Sequence, residues 1–276
     1  MPYNILSPKT PDPIHAGKHA LAIMAKAPRA GKVKTRLSPP LTLAQSAALN
    51  ICFLQDTAAN LLSVGQNATG LVCYTPVGDE AAFEALLPAT FALIPQRGDT
   101  FGQRLLAAAQ DILACGFTSV CLIDSDSPTV PHAAFAQAVH ELTKPGDRIV
   151  LGPSHDGGYY LIGLKHPHPE PFEHITWSTP SVAEQTRQRC REASLDLVDL
   201  PLWYDVDDAP TLALLNAELL QSSRPAFTTI DGYPAPHTRE FLLELDSPAD
   251  LVAQPAQEQG STSEQGNTTE QGSTTE

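Results

Sequence analysis

The string Asp124-Ser-Asp126-Ser-Pro128 sets two carboxylates two residues apart, directly after the apolar run at 120–123. Carboxylate oxygens in that pattern suit a hard divalent cation, Mg2+ or Mn2+, which also keeps substrate phosphates in its shell. An Asx-type turn at Asp-Ser-Pro is the other reading. A second acidic cluster, Trp203-Tyr-Asp205-Val-Asp207-Asp208-Ala-Pro210, can add a ligand to such a site; equally, Asp207 or Asp208 can cap the helix that Pro210 opens. A further carboxylate, Asp156, precedes Gly157-Gly158 within Leu151-Gly-Pro-Ser-His-Asp-Gly-Gly-Tyr-Tyr-Leu-Ile-Gly163. That string brings backbone close to a ligand, or it simply turns a hairpin. His155 beside it can act as a base or stand idle in the turn.

A phosphate partner for the cation is suggested by charge segregation. Between Pro13 and Gln55 there is no Asp or Glu, while Lys18, Lys26, Arg29, Lys32, Lys34 and Arg36 all fall in that window. Five of the six lie within Lys26-Ala-Pro-Arg-Ala-Gly31-Lys-Val-Lys34-Thr-Arg36, just after an apolar run. Cations and free backbone amides there can hold phosphate oxygens, and Gly31 allows close approach. A solvated basic loop is the bland alternative. The nucleotide-binding string G-x-x-x-x-G-K-[ST] is absent, which disfavours an ordinary ATPase.

These residues need a scaffold that brings strand ends together. Apolar runs suited to buried strands occur at 20–25, 71–74, 92–95, 119–123 and 148–151, and helical patterns at 43–64, 80–87, 101–115, 132–143, 181–193 and 211–220. Such alternation predicts an α/β three-layer sandwich with a mostly parallel sheet, whose ligands bind beyond the carboxyl ends of the strands.

Composition narrows the function classes. Seventeen Lys+Arg against 31 Asp+Glu give a net charge of −14, the wrong sign for nucleic acid. Five scattered Cys (52, 73, 115, 121 and 190), never spaced C-x-x-C, argue against a disulfide framework or structural zinc and fit a reducing cytoplasm. No secretory signal and no run of about 18 apolar residues is found, so no membrane span is expected. From Glu258 a six-residue unit (EQGSTS, EQGNTT, EQGSTT) repeats three times without an apolar side chain, which predicts a disordered tail. Asp246-Ser-Pro-Ala-Asp250 reads as a helix cap.

In combination, the motifs resemble a bacterial family of transferases with the glycosyltransferase-A fold, the glycosyltransferases of the arsenosugar-biosynthesis type. These are related to the molybdenum-cofactor guanylyltransferase-like nucleotidyltransferases. The resemblance covers about residues 20–215 and rests on Lys26-Ala-Pro, Gly31, Lys34-Thr-Arg-Leu37, Pro95-Gln96-Arg-Gly98, Gly102-Gln-Arg104, Ser125-Asp-Ser-Pro128, Asp156-Gly-Gly-Tyr-Tyr160, Trp177-Ser-Thr-Pro180 and Trp203-Tyr-Asp-Val-Asp207. Two positions depart from the family pattern. Asp124 stands where Gly is usual, and Asp208-Ala-Pro210 shifts the proline of the closing Asp-Val-Asp-Thr-Pro motif by one.

The resemblance implies a fold of the nucleotide-diphospho-sugar transferase type, with Asp156 and Asp126 catalytic. It implies nucleotide and phosphate binding by Lys26, Gly31, Lys34, Arg36, Gln96, Gly98 and Arg104, and a Mg2+ or Mn2+ site at Asp126 and Asp207, to which Asp124, standing where the family has Gly, is added by its two-residue spacing from Asp126 alone. A sugar or acceptor pocket would lie at Gly157, Gly158, Tyr159 and Trp177, although the two aromatics can equally be core. The expected activity is transfer of a sugar from a nucleoside-diphosphate sugar to a small-molecule acceptor. The alternative is a nucleotidyltransferase that joins an NTP to a phosphorylated small molecule and releases pyrophosphate; a silent nucleotide-binding protein is a third reading. The expected organisation is an N-terminal extension (1–18), the transferase domain (19–222), a C-terminal extension packing on it (223–251) and the repeat tail (252–276).

Overall fold

Along residues 19–26 successive side chains enter opposite sides of one sheet: Leu21, Ile23 and Ala25 join one hydrophobic cluster, Ala20 and Ala22 another. Both faces of this strand are buried, which is why it reads as a continuous apolar run instead of an alternating one. The computed structural model describes residues 4–65 and 67–245. Its strands are Asn4–Ile5 (β1), His19–Lys26 (β2), Ala68–Thr75 (β3), Ala92–Pro95 (β4), Ser119–Ile123 (β5), Ile149–Pro153 (β6), Tyr159–Leu164 (β7) and Leu197–Asp199 (β8). Helices occupy Leu43–Leu62 (α1), Phe101–Ala114 (α2), His132–Thr143 (α3), Val182–Glu192 (α4), Ala209–Gln221 (α5) and Pro236–Leu245 (α6).

The strands form one sheet in the order β1-β4-β3-β2-β5-β7-β6-β8. Every described pairing is parallel except those of β7, which runs antiparallel to both β5 and β6. One face is covered by α1, α3, α5 and α6 through residues such as Phe53, Phe135, Leu215 and Leu242. The other is covered by α2 and α4 through Leu105, Ile112, Ala183 and Cys190. The α/β three-layer architecture with a mostly parallel sheet is therefore present.

Helix starts are specified locally. Thr42 with Gln45, Thr100 with Gln103, and Asp208 with Thr211 each form reciprocal caps at α1, α2 and α5. Asp208 thus takes the capping role and leaves Asp207 outside the helix. The helix expected over 80–87 is a correction: only a single 3-10 turn, Glu80–Phe83, forms there. The Glu80 carboxylate accepts from the Tyr74 hydroxyl and the Gly78 amide, and Ala85 takes a left-handed φ of +65°, so the helix cannot continue. Three elements carried no sequence signal that we read: β1, β8 and α6. α6 is anchored by the buried Asp56 on α1, whose carboxylate accepts the His237 and Thr238 amides at 3.0 and 2.7 Å. The expected cap at 246–250 and the repeat tail lie outside the described residues. Among the described residues no helix is long and apolar enough to cross a membrane.

Candidate active site

Three chain segments leave the same end of the sheet, two from the adjacent strands β2 and β5 and one from β6, which β7 separates from β5. The loop after β2 carries the cations, the loop after β5 carries Asp124 and Asp126, and the turn after β6 carries Asp156. The reversal at β7 matters here. Because β6 and β7 form a hairpin whose turn lies at the same end of the sheet as the carboxyl end of β5, Asp156-Gly-Gly is a turn whose Asp156 and Gly158 also line a cavity there. The segment before α5 adds Asp205 and Asp207, tied in by the Ser154–Trp203 bridge and by Val206 N donating to Asp126 O at 3.0 Å.

Lys34 is the centre of the arrangement. Its ammonium contacts Asp126 Oδ2 at 2.8 Å and donates to Asp207 Oδ1 at 2.6 Å and the Val206 carbonyl at 2.8 Å. Its side chain is only 4% exposed, against 32% for Asp126 and 38% for Asp207. Burial alone would lower its pKa, but the two carboxylates outweigh it and hold the ammonium above its ordinary value. The residue also adopts a left-handed backbone, φ 48° and ψ 36°, which non-glycine residues rarely take. Arg36, 69% exposed, reaches Asp207 Oδ2 at 3.3 Å and Asp208 Oδ2 at 3.6 Å.

The remaining acids are not alike. Burial and the adjacent Asp126 push Asp124 well above the ordinary carboxylate range, and Ser127 Oγ donates to it at 2.7 Å. Asp205 is pushed up to about 6, chiefly by burial and then by Asp156 and Asp207, while its Oδ1 accepts from Ser154 Oγ at 2.8 Å. Asp156 is exposed, with its Oδ1 accepting the Gly158 amide at 2.8 Å.

Two cavities meet at this cluster. The smaller, about 230 Å³, is lined by Lys26, Lys32, Lys34, Arg36, Asn50, Ser125, Asp126 and Asp207. The larger, about 510 Å³, has an acidic side (Asp124, Asp126, Asp156, Asp205, Asp207) and an apolar side that includes Met24, Phe101, Tyr159, Trp177 and Pro180. Arg36, Asp126 and Asp207 line both. Trp177 packs edge-on to Phe101 (4.9 Å between centroids) and Tyr159 (6.4 Å), so these aromatics are cavity wall and core margin at once.

Of the residues singled out in the sequence, Lys26, Lys34, Arg36, Asp124, Asp126, Asp156, Gly158, Tyr159, Trp177 and Asp207 are brought together at these cavities. Gly157 lies beneath the cavity wall, against Pro180. Gly31, Gln96, Gly98 and Arg104 line neither cavity. Gln96 Nε2 instead donates to the Cys73 carbonyl at 2.7 Å, Arg104 donates to the Asp99 carbonyl at 3.2 Å, and Gly98 packs on the first turn of α2. Cavity residues that the sequence reading did not assign include Asn50, Phe101, Ser154 and Asp205. Asp205 had a readable signal, since it precedes Asp207 by the same two-residue step that separates Asp124 from Asp126.

Comparison with protein families matches residues 59–179 to DUF2064, described as uncharacterized protein conserved in bacteria. The matched stretch contains Asp124, Asp126, Asp156 and Trp177, and stops short of both the basic loop and Asp207. No curated protein matches the chain. Among solved structures, a candidate nucleotide-diphospho-sugar transferase from Desulfovibrio desulfuricans G20 is 29% identical with a TM-score of 0.69, covering 83% of this chain and 95% of its own. A CMP:2-keto-3-deoxy-manno-octonic acid synthetase complexed with CTP is 14% identical with a TM-score of 0.49, covering 75% and 100%. A 4-diphosphocytidyl-2C-methyl-D-erythritol synthase from Anaerococcus prevotii DSM 20548 is 11% identical with a TM-score of 0.46, covering 76% and 99%. The last two are too distant to carry an argument about chemistry. The first shares the architecture over most of both chains, so the fold is of the nucleotide-diphospho-sugar transferase type.

Proposed function

We propose that this chain is a glycosyltransferase that moves a sugar from a nucleoside-diphosphate sugar to a small-molecule acceptor. The observation that carries the reading is the junction of two unlike cavities at Asp126 and Asp207, one cationic and one aromatic and acidic. A nucleoside-diphosphate sugar has the same division, a charged diphosphate joined to an uncharged, hydroxyl-rich ring. The likeness to the Desulfovibrio protein supports the same donor class.

In this reading Lys26, Lys32 and Arg36 bind the diphosphate and stabilise the charge that builds on it as the glycosidic bond breaks. Asp156, exposed in the larger cavity, takes the proton from the acceptor hydroxyl as its oxygen attacks the sugar carbon. Trp177, Phe101 and Tyr159 form the wall that keeps water from competing for that carbon. Products are the glycosylated acceptor and the nucleoside diphosphate.

The carboxylates fit a divalent cation by two observations: their donors are hard oxygens, and the Lys34 ammonium already stands in for a cation between Asp126 and Asp207. The three-carboxylate site expected at Asp124, Asp126 and Asp207 is not formed: among the described residues no group of three or more His, Cys, Asp or Glu is arranged to hold a metal, and the residues that would hold one are Asp126 and Asp207, which already share a cation. When bound there, Mg2+ or Mn2+ supplies further charge neutralisation at the leaving diphosphate.

The test is product analysis with a panel of nucleotide sugars and NTPs, Mn2+ or Mg2+, and candidate acceptor alcohols and thiols. Release of nucleoside diphosphate is the expected result. Release of pyrophosphate from an NTP identifies a nucleotidyltransferase instead, and neither product removes the catalytic reading.

A further inference from the structure

We infer that Lys34 and a divalent cation are alternative occupants of the Asp126–Asp207 pair, so that loading the metal expels the Lys34 ammonium into the phosphate cavity. All three ammonium hydrogens have acceptors, Asp126 Oδ2, Asp207 Oδ1 and the Val206 carbonyl, at 2.6–2.8 Å. The carboxylates are a third exposed and border both cavities, whereas the ammonium is 4% exposed behind them. The outer oxygens of the pair are already engaged, Asp126 Oδ1 by the Ser125 hydroxyl at 3.0 Å and Asp207 Oδ2 by Arg36 at 3.3 Å, so a metal ion that bridges the pair through Asp126 Oδ2 and Asp207 Oδ1 takes the place of the ammonium.

The expelled ammonium has a destination. Lys34 lines the small cavity with Lys26, Lys32 and Arg36, where a diphosphate would offer it new acceptors. The direction of release rests on the function proposed above; the exchange itself does not. The protein alone should therefore bind divalent cations weakly, with the barrier set by its own lysine. Nucleoside diphosphate should strengthen metal binding, and by reciprocity metal should strengthen nucleotide binding by the same factor.

The test is Mn2+ binding followed by electron paramagnetic resonance on the full chain, without nucleotide and without turnover. Lys34→Met should bind Mn2+ at least about 10-fold more tightly than wild type, whereas Lys34→Arg, which keeps a cation at the pair, should not gain. Equal or weaker binding by folded Lys34→Met overturns the exchange. If that variant fails to fold, Lys34→Gln keeps a hydrogen-bond donor at the carboxylates and is expected to show the same gain. In wild type, the lysine Nζ resonance of Lys34 should be visible by nitrogen NMR because its hydrogens are held, and Mg2+ should abolish or shift it. A resonance unchanged once Mg2+ has bound, or Mg2+ that binds neither wild type nor Lys34→Gln, also overturns the inference. Exchange without any transferase activity would leave this inference standing and remove only the proposed function.

Discussion

Gly157 faces the carbonyl of Pro180 so closely that a Cβ on Gly157 would stand 2.0 Å from that oxygen. With φ at +94°, the position also excludes side chains on backbone grounds. The Asp156 turn is thereby wedged under the Trp177–Pro180 wall. Gly157→Ala is expected to destabilise the fold by about 3 kcal/mol or more, measured by urea unfolding, because neither backbone can give way cheaply. Gly158→Ala is the contrasting case. Its nearest Cβ contacts would all be with the Asp156 carboxyl group, Oδ1 first at 3.1 Å, so stability should change by less than about 1 kcal/mol while the carboxylate is pushed aside and turnover falls. Equal losses of stability in the two variants would remove the wedge argument.

Phosphate contacts separate from contacts to the rest of the nucleotide by choice of ligand. Lys32→Ala or Arg36→Ala should weaken nucleoside-diphosphate binding by ~10–100-fold in calorimetry and leave binding of the bare nucleoside unchanged. Parallel losses for both ligands would mean that the loop acts structurally.

For Asp156 the expected signature is kinetic. Asp156→Asn keeps the acceptor for the Gly158 amide but cannot take a proton, so kcat should fall ~10²–10⁴-fold with the donor KM little changed. A change confined to KM would assign Asp156 to binding.

Asp56 joins α1 to α6 through two backbone amides. Asp56→Ala leaves them without acceptors and should cost about 2–3 kcal/mol in chemical unfolding. An unchanged midpoint would show that α6 docks by apolar contact alone.

Glu218 provides a pH test away from the carboxylate pair. Burial raises its pKa above the ordinary Glu value, although the Tyr204 hydroxyl donates to it and opposes the rise. A carboxyl raised in the folded state binds protons more readily there than in the unfolded chain, so this group lowers stability as pH climbs from the unfolded value through the folded one. Glu218→Gln keeps an acceptor for Tyr204 and carries no charge. Its stability relative to wild type should therefore be near parity below the ordinary Glu pKa and rise above it, as read from urea melts across pH. A difference independent of pH would refute the assignment.

What the sequence by itself determined is what local chemistry dictates. Strands buried on both faces, such as β2 and β5, announce themselves as apolar runs, and the Asp207-Asp208-Ala-Pro210 string announces a helix start, which the fold assigns to Asp208. The charges that meet at the candidate site were legible for the same reason, since cations follow one strand and carboxylates another and a parallel sheet aligns those ends, whereas Asn50, Phe101 and Ser154 carried no such pattern. Short edge strands were not legible, because β1 and β8 owe their conformation to pairing with β4 and β6 and not to their own two or three residues. The reading of 80–87 failed where the Glu80 carboxylate turned to Tyr74, a contact that no periodicity records. Most of all, Lys34 read as one basic residue among five. Only the tertiary structure decided that its ammonium would be buried between Asp126 and Asp207, 92 and 173 residues away in sequence, because ion pairing at that range depends on which strand ends the fold brings side by side.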